Sequence, residues 1–268
     1  MPSGTFGLAL RTFKMVLRSF DLANLGGFLA FWNWSARLAG GRHPSPQCIR
    51  MKDTIGKQPA GVRWEAAAGA LLGLTGLVVQ FYVSFSARQL PALETIIRFF
   101  SYFTILTNTL VTAYFLARSV APDSKAGRFA RQPEVGTALT VYILVVGLVY
   151  QAVLRGLVPL AGWGILADNI IHGLVPLYML GFWLLFVAGQ AVPLRTLPFW
   201  LLYPAAYLAY TLLRGPSAGF YPYPFVDVAA LGYGPVLRNC LVVLLVMLGL
   251  SVVLGAFANW RHRRSSAR

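Results

Sequence analysis

The chain has 268 residues, 57% of them hydrophobic and only 12% charged, with a mean hydropathy of +0.63, which excludes an ordinary water-soluble domain of this size. Its net charge of +15 would suit nucleic acid, but the basic residues flank apolar runs and form no stripe beside a binding motif, so nucleic acid is excluded and the lipid bilayer is the expected partner.

In chain order, residues 1–62 read as a basic, poorly ordered N-terminal region on the cytoplasmic side. Within it, residues 22–36 (LANLGGFLAFWNWSA) are short for a span and contain a Gly pair, so an interfacial or disordered segment is expected. The stretch lacks a convincing small-residue cleavage site and does not read as a signal peptide. Met51 and Lys52 stand just ahead of the first clear span. Uncharged runs then occupy 66–87, 99–117, 135–154, 169–194, 196–213 and 239–260. Each has about the 18 residues that a membrane-crossing helix needs, and none alternates with period two as a barrel strand would. The expected fold is therefore all-α: a polytopic bundle of six transmembrane helices over residues 63–260, followed by a basic cytoplasmic tail at 261–268. Cys48 and Cys240 fall on opposite sides of such a bundle, so no disulfide is expected. No metal spacing or cofactor motif is present.

Loop charges orient the bundle. Twelve Lys and Arg residues, including Arg118, Lys125, Arg128 and Arg131, fall on one side. Only five, Arg88, Arg98, Arg155, Arg214 and Arg238, fall on the other. By the positive-inside rule the richer side, with both termini, is cytoplasmic, which predicts a multi-pass protein of the cell membrane.

Polar residues inside spans are costly and face the bundle interior. In the second run, Thr104, Thr107, Asn108 and Val111 share one helical face; at the start of the fourth, Asp168 and Asn169 lie four and three residues before His172. At a rise of about 1.5 Å per residue, Thr104 lies about 9 Å below Arg98 and His172 about 6 Å below Asp168, so the two faces sit at similar depth on the outer side. If they meet, His172 can serve as base to a Thr104 nucleophile, with Asp168 or Asn169 orienting the imidazole and Asn108 donating to an oxyanion. The competing reading is structural: threonines bond their own helix, Asn and His join helices, and Asp168 caps one. Residues 215–226 (GPSAGFYPYPFV) hold three prolines and read as an aromatic loop on the same side. Tyr221, Tyr223 and Arg214 are then either a substrate-binding lid, with Arg214 facing a carboxylate, or an interfacial belt, with Arg214 and Asp227 at helix ends.

The segments carrying Thr104 (YFTIL), His172 (NIIHGLVP) and the loop RGPSAGFYPYPFVD together resemble the family of the androgen-induced protein and the androgen-dependent tissue-factor-pathway-inhibitor-regulating protein. The likeness is greater to its bacterial six-span members and covers about residues 64–260. Animal members are threonine hydrolases that cleave fatty-acid esters of hydroxy fatty acids with a membrane-embedded Thr and His. The resemblance implies those roles for Thr104 and His172 and a lipid-ester substrate. A non-catalytic membrane scaffold is the main alternative. A lipid or small-molecule transporter is disfavoured, because no acidic or basic residue lies near a span's midplane and no internal repeat relates the halves.

Overall fold

The structure is a computed structural model that describes residues 59–267. Most of the N-terminal region, with residues 22–36, Cys48 and Arg268, lies outside the described residues. The chain is all-α, with no strand among the described residues, and polytopic. Helix α1 (Ala60–Ser86) is followed by a bent pair, α2 (Ala92–Phe99) and α3 (Phe103–Ser119), which meet at 73°. Helices α4 (Pro133–Leu154), α5 (Trp163–Phe186), α6 (Leu194–Ala218) and α7 (Tyr233–Ser266) complete the set. Among the described residues, five single helices are long and apolar enough to cross a membrane, or up to six if the bent pair counts as one span.

The surface is inverted relative to a soluble protein. Leu213 and Leu185 are 80% and 73% exposed, whereas Thr107, Asn108, Thr137 and Thr140 are fully buried. This is the distribution expected where the surroundings are hydrocarbon and polar groups must pair inside. Helix α4 sits at the centre against α3, α5 and α7. Its polar side chains are paired there: Tyr142 Oη donates to the Trp200 carbonyl at 2.6 Å, and Trp183 Nε1 donates to Thr137 Oγ1 at 2.9 Å.

Helix α1 packs along α3 and α5 through Gly69, Gly73 and Gly76, whose missing side chains leave room for Phe115, Thr112 and the Ile170–Ile171 pair. A Cβ on Gly73 would collide with the Thr112 hydroxyl, which already donates to the Asn108 carbonyl. Gly73→Val is therefore expected to cost about 1–3 kcal/mol by overpacking. That corresponds to a fall of roughly 2–12 °C in the unfolding midpoint of detergent-solubilised protein. Gly61, with nothing within 4 Å of a Cβ, is the control position.

Three boundaries differ from expectation. The second run is not one straight helix: it breaks at residues 100–102, so Thr104 stands at the N-terminus of α3 instead of partway down a helix from Arg98. The break contains no Pro or Gly, and partners far away in sequence hold it. Tyr207 Oη donates to the Ser101 carbonyl at 3.0 Å, and Ser101 Oγ meets Tyr210 Oη at 2.9 Å and donates to the Ile97 carbonyl at 2.7 Å. The fourth span begins at Trp163, so Asp168 lies inside it and does not cap its start. The sixfold run pattern missed this start because Asp168 interrupts the charge-free stretch. Finally, 215–218 belong to α6: Pro216 is accommodated in its last turn, and Gly219, at φ 57°, ends it.

Candidate functional site

Threonines in these helices ordinarily bond their own backbone. Thr109, Thr112, Thr137 and Thr140 each donate to the carbonyl four residues earlier, at 2.6–2.8 Å. Thr104 does not, because it is the second residue of α3 and the break lies immediately before it. Its N–H is one of the donors that a helix start leaves without an intrahelical partner. That N–H donates to Tyr223 Oη at 3.1 Å, and the Thr104 and Tyr223 hydroxyls lie 3.2 Å apart.

Tyr223 is delivered by the Tyr-Pro loop between α6 and α7. It stacks parallel to Phe225 and meets Tyr102 edge-on. Burial pushes its phenol up to about 12, against the opposing pull of the Thr104 contacts, so it keeps its proton throughout the neutral range. Tyr221 packs instead on Gly215, which leaves no room for a side chain of its own. Arg214 bonds Glu94 Oε1 at 3.3 Å, and Arg98 bonds the same oxygen at 2.8 Å while lying over the Phe220 ring. One carboxylate thus ties α2 to the end of α6. Asp227 caps the short helix Val228–Leu231 by accepting from the Ala230 N–H.

Asn108, fully buried one turn below Thr104, links α3 to α5. Its Nδ2 donates to the Thr104 carbonyl at 2.9 Å and to the Ile171 carbonyl at 3.3 Å. Both N–H bonds are thereby committed, and Oδ1 is left without a partner. Two carbonyls facing one end of the amide require the nitrogen there, so the expected oxyanion donor presents an acceptor instead.

His172 lies in a π-helical turn, Ile170–Leu174, and faces a second one, Tyr150–Leu154, at the end of α4. Its Nδ1 is 2.9 Å from Asp168 Oδ1, and its ring stacks on Tyr150 with centroids 3.8 Å apart and planes 8° from parallel. A π turn adds a residue to a helix and re-aims side chains, and such turns concentrate at functional sites. Asp168 is the group that orients the imidazole; Asn169 is exposed. Sequence reasoning did not find Tyr150, because an aromatic residue inside an apolar run carries no signal of its own.

The expected polar helices are therefore neighbours, joined by Asn108, but their key side chains have separate partners. Thr104 bonds Tyr223, His172 bonds Asp168, and no hydrogen bond joins Thr104 to His172. Thr104 and Tyr223 form part of the wall of a cavity of about 450 Å³ bounded by α4, α6, α7 and the loop. Val145, Leu208, Leu244 and Met247 line its apolar remainder. No family model matches the chain, and neither a curated protein nor a solved structure matches it.

Proposed function

We propose that this membrane protein is a hydrolase of lipid esters, with Thr104 as nucleophile, His172 as base and an acyl chain held in the apolar cavity. One observation carries the reading: a threonine hydroxyl released from its own helix stands in the wall of a largely apolar cavity. Asp168 accepts from Nδ1–H of His172 and leaves Nε2 free to take a proton. On ligand entry Thr104 exchanges Tyr223 for His172, in keeping with catalytic bonds that tighten only when substrate is bound. The charge bias adds an orientation, with both termini cytoplasmic and the Tyr-Pro loop at the outer face of the cell membrane.

A second reading, a non-catalytic membrane scaffold, is favoured by the partner Thr104 has at rest, which is Tyr223 and not His172. Covalent labelling separates the two. Membranes containing the full chain are treated with a long-chain fluorophosphonate, and the adduct is mapped by mass spectrometry alongside hydrolysis of long-chain ester substrates. The hydrolase reading expects an adduct on Thr104 and ester turnover. An unlabelled Thr104 with no turnover leaves the scaffold.

A further inference from the structure

The polar end of the cavity has a proton too many. Apart from the Thr104–Tyr223 pair, its polar lining consists of Cys240 and Tyr207, and the Tyr207 hydroxyl is committed to the Ser101 carbonyl. The Tyr223 oxygen accepts the Thr104 N–H, and the two hydroxyls share a single contact with one proton between them. Two hydroxyls carry two protons, and no further acceptor bonds either group among the described residues. The remaining donor is held at a buried site whose surroundings are hydrocarbon side chains. What the site lacks is an acceptor.

The volume says what that acceptor is attached to. A methylene is about the size of a water molecule, whose share of liquid volume is about 30 Å³, so 450 Å³ holds a single chain of about fifteen carbons. We infer that the Thr104–Tyr223 pair binds the carbonyl oxygen of a single-chain acyl lipid whose tail lies between α4, α6 and α7. Tyr223 Oη–H, once the Thr104 hydroxyl donates to the Tyr223 oxygen, is the donor that receives it, so Tyr223 replaces Asn108 as the side chain that holds the carbonyl. This deepens the lipid reading above and rests on it, but it does not require turnover.

The test uses the full-length protein in nanodiscs and a photoreactive diazirine analogue of methyl palmitate. Crosslinks are expected on α4 or α7, and Leu244→Trp, which fills the cavity from the α7 wall, is expected to abolish them. The ligand-side comparison does not depend on that variant folding. Methyl palmitate and palmitic acid should each compete at least about tenfold better than heptadecane, the value of roughly one hydrogen bond. The stronger of the two identifies whether an ester or a free acid is the resident ligand. Heptadecane competing equally, or crosslinks mapping elsewhere, overturns the inference. Labelling without turnover in the wild-type protein would remove the hydrolase and leave this site standing.

Discussion

Thr104→Ala is expected to lower lipid-ester turnover by at least about 10³-fold, because removing a nucleophile leaves only binding and electrostatic stabilisation. Expression and folding should persist. The variant loses the 3.2 Å hydroxyl contact, worth about 1 kcal/mol, while the backbone N–H still bonds Tyr223. Thr104→Ser, which retains the hydroxyl, should recover a substantial part of the rate. Initial rates with a long-chain ester, normalised to protein recovered by size-exclusion chromatography, make the comparison. Wild-type turnover in Thr104→Ala would end the assignment of the nucleophile.

His172→Ala is expected to cost about 10²–10⁴-fold, the usual contribution of a general base. Here stability must be separated from chemistry. The substitution removes the stack on Tyr150, worth about 0.5–1.5 kcal/mol, and takes from Asp168 one of its two partners, leaving the Tyr150 hydroxyl. His172→Gln resolves the two effects, since its amide can still donate to Asp168 but cannot act as a base. Thermal stability should return toward wild type in His172→Gln and turnover should not. A glutamine variant that hydrolyses ester at the wild-type rate would confine His172 to a structural role.

The spans were legible because charge is expelled from hydrocarbon over about 18 residues at a time, a constraint strong enough to read without any partner in view. The buried face of α3 was legible for a related reason. Thr104, Thr107, Asn108 and Val111 repeat at helical spacing, and all four are buried. What escaped depends on contacts between distant segments. The break before Thr104 has no local breaker and exists because tyrosines of α6 and the loop satisfy it. The stack of Tyr150 on His172 joins residues from two helices. The role of Asn108 turns on which end of its amide faces two carbonyls, a matter of orientation that residue identity does not carry.

The break between α2 and α3 also bears on the order in which the chain is made. Its polar groups are satisfied by Tyr207, Tyr210 and Tyr223, which follow in the sequence by 106 to 119 residues. Unpaired backbone groups in hydrocarbon cost several kcal/mol each. A nascent 99–117 segment entering the bilayer has none of these partners and is most stable as one unbroken helix, its carbonyls bonded along its own axis. The bend, and with it the release of the Thr104 hydroxyl, therefore arrives late in biogenesis, when α6 and the Tyr-Pro loop have been inserted. A chain interrupted before then would hold every residue of the proposed Thr–His pair and still lack the site.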